Sequence, residues 1–448
     1  MAETYWLLIV LAVSVLFIIL GTTKLKLHPF IVLLLASYLA GAMAGLPIEK
    51  IATTIATGFG NIMAYIGIVI ILGTIIGTIL EKSNAAIKLA ELVLRVVGKR
   101  FPGFAMSIIG YLVSIPVFCD SAFVILSSLR KSLVAKTGRS SVALSIALST
   151  GLYAAHTFVP PTPGPIAAAG NVGLENQLGQ VILFGLVVAA FAMLVGYFWA
   201  SYIGPKYKVE EDISYDKETE SPDIKLPSGT KSLLPILVPI FLIALRSVAT
   251  YPTQPFGEGV FYLALNFIGQ PINALLAGFL LSFMLFPKFN KETLTDWISD
   301  GITAAAPILL ITGAGGAFGT ILKETQIGDT IGSLLAGYEL GIFLPFIIAA
   351  AFKTAQGSST VALVATSALI APMLSTVGLD SLNGKVLAVM ATGAGAMTIS
   401  HANDSFFWVV TQFSGIDVKT GYKTQTLATL IQGLSSMLFI YLLTLIFV

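Results

Sequence analysis

Long apolar runs recur along the whole chain and constrain its fold more than any other feature. The clearest runs cover residues 6–21, 28–46, 62–80, 181–203, 233–245 and 425–448. A helix needs about 20 apolar residues to cross a bilayer. Charged residues make up only 11% of the chain, whereas soluble domains have about 25%. The sequence therefore predicts an all-α, polytopic membrane protein that is embedded in a lipid bilayer.

Features that the sequence lacks argue against several functions. The first apolar run has no basic segment before it and no Ala-x-Ala-like cleavage site, so we interpret it as a retained span. Cys119 is the single cysteine, which excludes an internal disulfide and a thiolate metal cluster. No P-loop is present, which argues against an ATP-driven pump. We expect no metal, no cofactor and no nucleic-acid partner.

Two polar breaks interrupt apolar segments, one in each half. The first covers residues 156–165 and is rich in proline, and the second covers residues 401–405. Proline cannot continue a helix, while Asn, Asp and Ser cap a new one. Backbone that leaves helical geometry in hydrocarbon survives only where it is buried in protein or lines a watery cavity. Corresponding breaks in two halves therefore indicate a transporter's binding site near the midplane.

The two halves resemble each other in the order of their segments. Residues 73–80 (GTIIGTIL) have a counterpart in residues 315–322 (GGAFGTIL), and an apolar hairpin and then a break follow each. We interpret the glycines of both segments as close helix-packing positions. The sequence predicts a first repeat at 1–203, a polar cytoplasmic linking loop at 204–231 and a second repeat at 232–448. Each repeat is expected to hold about five crossings, one re-entrant hairpin and one interrupted helix, and the odd number inverts the second repeat.

Both hairpins have arms that are too short to span a bilayer and a polar tip between them. The first tip is 117–121, and basic residues flank its hairpin: Lys99, Arg100, Arg130, Lys131, Lys136 and Arg139. The second tip is 353–360, and its flanks carry Glu339 and Asp380. By the positive-inside rule the first hairpin enters from the cytoplasm and the second from outside. This opposite bias supports the predicted inversion.

Ionisable residues in the apolar segments converge on the two tips and the two breaks. Such a group costs several kcal/mol in hydrocarbon unless it is paired or solvated. Candidates for carrying a coupling proton are Asp120, His156, His401 and Asp404. The sequence does not rank them, and Asp120 is our main hypothesis. Lys353 could pair with a substrate carboxylate or neutralise an aspartate, and both roles stay open.

A small carboxylate is the substrate that these tips and breaks favour. The tips place Ser, Thr and Gly at the start of a helix, where free N–H groups and the helix dipole attract an anion. The predicted substrate-binding residues are Ser121, Thr162, Gly164, Lys353, Gln356, Gly357, Ser358, Ser359, Thr360, His401, Asn403, Asp404 and Ser405. Oxygens of Ser358, Ser359, Thr360 and Asn403 could instead hold Na⁺, so sodium coupling is the alternative to proton coupling.

Four motifs carry a resemblance to a known family. They are Gly-Ala-Gly-Gly at 313–316, Gln-Gly-Ser-x-Thr-Val-Ala at 356–362, Ser-His-x-Asn-Asp-x-x-Phe-Trp at 400–408 and Pro-Gly-Pro at 163–165. With these motifs the chain resembles, over essentially its whole length, the gluconate permease (GntP) family of bacterial secondary transporters.

The resemblance implies proton-coupled uptake of gluconate or a related hydroxy acid across the bacterial inner membrane. It also implies membership of a wider ion-transporter superfamily with inverted repeats, paired hairpins, separate scaffold and transport regions, homodimers and elevator-like movement. Two positions depart from the family pattern, because Asp120 replaces a glutamate and Lys353 replaces an arginine. An ammonium holds a carboxylate differently from a planar guanidinium. Glycerate, D-serine and other sugar acids therefore stay open as substrates.

A membrane-embedded enzyme and an anion channel are the alternative classes. His401 and Asp404 superficially suggest a catalytic pair, but no nucleophile elbow and no His-Glu-x-x-His spacing is present. Two hairpin tips that meet at the midplane favour a closed site over a continuous pore. The sequence therefore predicts a secondary transporter and not an enzyme.

Overall fold

The computed structural model consists of helices and their connections throughout the part of the chain that it describes. This part comprises residues 2–98, 101–209, 226–250, 257, 259–325, 341–401 and 404–448. The helices are α1 (Ala2–Thr23), α2 (Pro29–Met43), α3 (Ile48–Ile62), α4 (Ile68–Lys82), α5 (Ala85–Val97), α6 (Pro102–Val113), α7 (Cys119–Thr137), α8 (Ser141–Phe158), α9 (Pro163–Asn171), α10 (Leu178–Ile203), α11 (Gly229–Ala249), α12 (Val260–Ile268), α13 (Pro271–Ser282), α14 (Trp297–Glu324), α15 (Phe343–Gln356), α16 (Ser359–Ile370), α17 (Leu382–Met397), α18 (Ser405–Phe413), α19 (Val418–Gly421) and α20 (Leu427–Phe447). Single π-turns at Met63–Gly67, Glu292–Asp296 and Tyr422–Thr426 join neighbouring helices.

Several of these helices have the length and composition of membrane spans. Within the described ranges, five segments are long and apolar enough, and two bent helix pairs raise the number to seven. One bent pair is α4 with α5, which turn by 74° at their junction. The all-α, polytopic membrane fold predicted from the apolar runs is confirmed. Residues 210–225 of the predicted linking loop lie outside the described residues, as do Lys99, Arg100 and Glu339.

The first half contains a helical hairpin followed by a broken helix. The hairpin is α6 and α7, and the residues between them, 114–118, lead into the N-terminus of α7 at Cys119. The broken helix is α8 and α9, separated at residues 159–162. The break is shorter than predicted, because α8 continues past His156 to Phe158. Proline disrupts a helix only from the residue before it onward, and the first proline here is Pro160.

The second half contains a hairpin of α15 and α16 followed by a break between α17 and α18. Gly357 turns the chain at the hairpin tip with a φ of +90°, which side chains rarely adopt. The break begins at Thr398 and includes Ile399 with a φ of +60°. A β-branched residue in this region costs about 1–3 kcal/mol and persists only where its surroundings enforce it. Bonds around the neighbouring Ser400, described below, supply that constraint.

The two halves interlock at their hairpins and breaks. Helix α9, from the first break, packs along α16 of the second hairpin, and α18, from the second break, packs on α7 of the first hairpin. Each broken helix thus contacts the hairpin of the other half. This exchange brings both tips and the second break together in the interior. The inverted relation between the halves stays a prediction.

Helices α4 and α14 pack against this interlocked group through glycines. A Cβ added at Gly77 of α4 would lie 2.2 Å from the carbonyl oxygen of Pro116, beside the first tip. A Cβ added at Gly319 of α14 would lie 2.9 Å from the carbonyl oxygen of Ala368 on α16. No larger residue fits at Gly77, whereas a Cβ at Gly319 requires α14 and α16 to move slightly apart. Both glycines are therefore close-packing positions in the structure.

Candidate functional site

A cavity of about 310 Å³ lies where the two hairpin tips meet the second break. Its lining residues are Phe118, Cys119, Asp120, Tyr153, His156, Gly357, Ser358, Ser359, Thr360, Asp404, Ser405 and Phe406. Helices α7, α16 and α18 all begin at this cavity, at Cys119, Ser359 and Ser405. The first N–H groups of a helix have no intrahelical acceptor, and they carry a partial positive charge. The cavity is therefore surrounded by donors that suit an anion.

A buried ion pair supports one wall of the cavity, where Asp404 lines the wall and Lys353 lies behind it. The Lys353 ammonium, which has no exposed surface, lies 2.6 Å from Oδ2 of Asp404, which is 5% exposed. Lys353 also donates a hydrogen bond to the carbonyl oxygen of Gly357 at the hairpin tip. Oδ1 of Asp404 accepts a hydrogen bond of 3.1 Å from the backbone N–H of Phe406 and caps α18. The pair thus joins the second hairpin to the second break.

Hydroxyl groups complete the surroundings of Asp404. Ser400 donates to Oδ2 of Asp404 at 2.5 Å, and its own N–H donates to the Thr429 hydroxyl at 2.9 Å. Tyr153 donates to the same Asp404 oxygen at 3.4 Å, and its hydroxyl lies 2.5 Å from Oγ of Ser359. Charge-assisted bonds of this kind hold the Asp404 carboxylate in one orientation. Asp404 is thus engaged on both oxygens.

Asp120 has a different environment from Asp404. It lies in the first turn of α7, where Oδ2 accepts a hydrogen bond of 3.3 Å from the Ser405 hydroxyl. Oδ1 is buried and has no partner among the described residues. A buried polar atom without a partner is costly and needs an explanation. An acid that faces the cavity with one free oxygen is suited to exchange a proton there.

The two histidines occupy different positions. His156 is buried on α8 and lines the cavity, and its ring stacks on Tyr153 with a centroid distance of 6.4 Å. His401 is not among the lining residues, and its Nε2 lies 3.0 Å from the carbonyl oxygen of Thr354. Of the four candidates for proton coupling, the structure therefore brings Asp120, His156 and Asp404 to the cavity. His401 instead ties the second break to the second hairpin.

Four predicted binding residues do not line the cavity: Thr162, Gly164, Lys353 and His401. The hydroxyl of Thr162 donates at 2.5 Å to the carbonyl oxygen of Val159, within the first break. A Cβ added at Gly164 would lie 2.7 Å from Cδ1 of Leu363, so this glycine packs α9 against α16. Asn403 lies outside the described residues, as do the side chains of Ser121 and Gln356. The predicted residues that line the cavity are Gly357, Ser358, Ser359, Thr360, Asp404 and Ser405, and their binding of substrate stays a prediction.

Tyr153 and Ser400 belong to the site although sequence reasoning did not select them. Tyr153 lies one helical turn before His156, so both side chains share a face of α8. That spacing is the signal that could have identified it. Ser400 precedes His401 directly, and its role depends on the left-handed turn at Ile399. Among the residues that the structure describes, no group of three or more His, Cys, Asp or Glu side chains could hold a metal ion.

Comparison with known proteins supports a transporter. The chain is 32% identical to a gluconate permease of Pseudomonas aeruginosa, over 100% of this chain and 99% of the relative. It is also 32% identical to the D-serine transporter DsdX of Escherichia coli K12, over the full length of both. The solved structure of the YdaH transporter of Alcanivorax borkumensis superposes with a TM-score of 0.57 at 14% identity, and covers 88% of this chain and 87% of that one. This last likeness shows the fold alone.

The model of the family described as GntP family permease matches residues 6–446. Its members are permeases and not enzymes, and the several spans found here fit a multi-pass protein of the bacterial inner membrane. The match extends over nearly the whole chain and includes both hairpins and both breaks. The chain belongs to the GntP family of permeases.

Proposed function

We propose that this permease takes up gluconate or a related small hydroxy acid by proton symport. The observation that carries the proposal is the convergence of three helix N-termini on a cavity whose wall holds the Lys353–Asp404 pair. The names of the two full-length relatives, a gluconate permease and a D-serine transporter, support a substrate that contains a carboxylate. Sodium coupling and another sugar acid are the variants that the experiments below distinguish.

The charges around the cavity explain why an anion would bind. Lys353 and Asp404 neutralise each other, and each helix N-terminus contributes about half a positive charge. With Asp120 protonated, the cavity is therefore positive and accommodates one carboxylate. Hydroxyl groups of Ser358, Thr360 and Ser405 line the same space and supply partners for the hydroxyl groups of a sugar acid.

Proton coupling follows from the position of Asp120. A substrate carboxylate in this cavity would lie close to Asp120, and two unit charges about 6 Å apart at an effective dielectric constant of about 20 repel by about 3 kcal/mol. That energy weakens binding by about 100-fold. Tight anion binding thus requires a proton on Asp120, and the loss of the proton promotes release of the anion. The proton and the anion would then cross together.

Binding of gluconate at the cavity can be measured through Cys119. This residue is the only cysteine in the chain, and it lines the cavity. We expect gluconate to slow the reaction of Cys119 with N-ethylmaleimide several-fold, because bound substrate covers the thiol. The same proteoliposomes should show gluconate counterflow that glycerate and D-serine inhibit less strongly. Unchanged labelling together with absent gluconate counterflow would contradict gluconate as the substrate.

We also propose two inverted repeats (1–203 and 232–448), a homodimer and elevator-like movement. In this proposal α3, α4 and α14 form a scaffold, and the hairpins and broken helices move as the transport region. The glycine contacts at Gly77 and Gly319 support a smooth boundary between the two regions. At these two contacts the glycines have no side chain to interlock with the neighbouring segment, so sliding there would disrupt little packing.

A disulfide across this boundary tests the movement. The Cβ position of Gly319 on α14 lies 3.3 Å from Cβ of Ala368 on α16, close to the separation in a disulfide. We expect the Gly319→Cys/Ala368→Cys variant to lose gluconate uptake on oxidation and to regain it on reduction. The matched control is Gly21→Cys/Val32→Cys, which joins α1 to α2 at a Cβ distance of 3.6 Å. Full uptake by the oxidised Gly319→Cys/Ala368→Cys variant would contradict elevator movement along this boundary.

A further inference from the structure

A second polar cavity, of about 280 Å³, lies at the opposite end of α16 from the first. Its walls come from α3, α9, α14, α16 and α17, and two lysines, Lys323 and Lys385, reach it. Ser359 at the start of α16 lines the first cavity and Ala368 near its end lines the second. Helix α16 has 12 residues, so the two cavities lie about 18 Å apart along its axis. The second cavity is therefore a separate compartment.

Neither lysine is paired with another described residue. In the part of the chain that the structure describes, Lys323 and Lys385 make no ion pair and no side-chain hydrogen bond, and no carboxylate lines the cavity. Three helices end at the cavity and one begins there, so their dipoles add about one net negative charge. The two ammonium groups outweigh this charge and leave the cavity positive.

The position of Lys385 is the stronger indication of a function. Lys323 lies in the last turn of α14, where the helix dipole favours a cation. Lys385 lies at the start of α17, just after the capping Ser381, where the dipole disfavours a cation. Asp380, directly before the capping Ser381, makes no ion pair with Lys385, so within the described ranges no direct contact offsets this cost. A bound anion between the two ammonium groups would offset it.

The polar groups and the backbone around the lysines suit a small ligand. Asn61 and Thr320 reach the cavity as polar side chains, and Gly58, Gly316 and Gly319 let the helices of its walls pack closely together. A volume near 300 Å³ is at the lower end of the range for small-molecule pockets. The first cavity has nearly the same volume, so one small acid fits both.

The cavity lies on the membrane face opposite the basic segment that contains Arg130 and Arg139. Helix α8 begins just after this segment, and α9, which continues from α8, ends at the cavity with Asn171. By the positive-inside rule the basic segment is cytoplasmic, so the cavity faces outward.

We propose that the Lys323–Lys385 cavity is an outer anion site that takes the carboxylate of the transported acid before it enters the central cavity. Its role in uptake rests on the proposed function, whereas its selectivity for anions does not.

Charged thiol reagents measure the selectivity without any substrate. Asn61→Cys in a Cys119→Ser background places one thiol on the cavity wall, where it can react with an anionic sulfonatoethyl or a cationic trimethylammonioethyl methanethiosulfonate. We measure the ratio of anionic to cationic reaction rates for this thiol and for free 2-mercaptoethanol. We expect the ratio to be about tenfold or more higher in the protein, because positive charge in the cavity attracts the anionic reagent. Adding Lys323→Gln/Lys385→Gln should return the ratio to that of the free thiol. Adding Lys50→Gln, which removes an exposed lysine at the start of α3, should leave the ratio high.

Transport by the full chain tests the role in uptake. For Lys323→Gln/Lys385→Gln we expect the KM for gluconate to rise about tenfold at low salt while the maximal rate is kept, and we expect added salt to reduce the difference. The anion site is overturned if the Asn61→Cys protein shows the same ratio of anionic to cationic rates as free 2-mercaptoethanol. It is also overturned if the protein is not labelled at all. If Lys323→Gln/Lys385→Gln lowers the ratio of reagent rates but leaves the KM for gluconate unchanged, the anion site does not lie on the uptake path. If the parent chain transports no gluconate, the substrate proposal fails while the reagent ratio still decides the anion site.

Discussion

Proteoliposomes with Asp120→Asn are expected to exchange gluconate across the membrane but to lose accumulation driven by a pH gradient. Asparagine matches aspartate in shape and keeps an acceptor for the Ser405 hydroxyl, yet it is neutral at every pH and carries no proton. Anion binding should survive, because the charge that opposes it is gone. We expect the gluconate accumulation driven by an inward proton gradient to fall to the level seen without a gradient, because the variant carries no proton across.

Two further variants sharpen this prediction. Asp120→Glu keeps the titrating group and should keep gradient-driven uptake, whereas Asp417→Asn should have no effect. Asp417 is exposed at the start of α19, and hydrogen bonds from Thr420 hold the pKa of its carboxyl below the ordinary value. It therefore stays ionised over the assay range and carries no proton. Concentrative, pH-driven uptake by Asp120→Asn would assign the proton to another group, with His156 the next candidate at the cavity.

The architecture and much of the site could be predicted because both depend on where polar groups lie, and polar groups are costly in the hydrocarbon of a bilayer. Ionisable side chains cannot be scattered in hydrocarbon, so Asp120, Lys353 and Asp404 had to meet in one protected place. The structure brings these three together at one cavity. It also shows Lys353 paired with Asp404, which is one of the two roles that the sequence left open. The same penalty on unpaired backbone identified both breaks.

The remaining details depend on local geometry that composition does not contain. Thr162 has the chemistry of a ligand, but its hydroxyl is satisfied within its own turn by Val159. Gly164 allows close approach, and the group that approaches is the side chain of Leu363. Ser400 reaches Asp404 because Ile399 adopts a left-handed conformation, which no sequence rule predicts for a β-branched residue. Polar breaks thus locate a site without showing which face of each break lines it.

The Lys353–Asp404 pair should be the most sensitive point for the stability of the fold. Lys353→Met keeps the length of the side chain but leaves the Asp404 carboxylate buried without its cation, and removes the hydrogen bond to Gly357. Breaking a buried pair in this way costs about 3–5 kcal/mol. We expect a large fall in the thermal midpoint of the purified protein, together with loss of gluconate counterflow.

A second substitution separates stability from function. In Lys353→Met/Asp404→Leu no charge is left buried, and replacing a whole buried pair by apolar residues is often neutral for stability. We expect the double variant to recover most of the thermal midpoint but none of the transport, because the cavity has lost the carboxylate that anchors the second break to the second hairpin.

The Lys82–Asp300 pair supplies the matched control. Its atoms lie 2.5 Å apart, but its side chains are 35% and 55% exposed, so Lys82→Met should cost less than about 1 kcal/mol. If the thermal midpoint falls equally in Lys82→Met and Lys353→Met, burial of the Lys353–Asp404 pair does not cause the loss of stability. Transport by the double variant at the parent rate would show that the pair only supports the fold. Recovery of stability without transport would instead show that transport needs the pair for more than the stability of the fold.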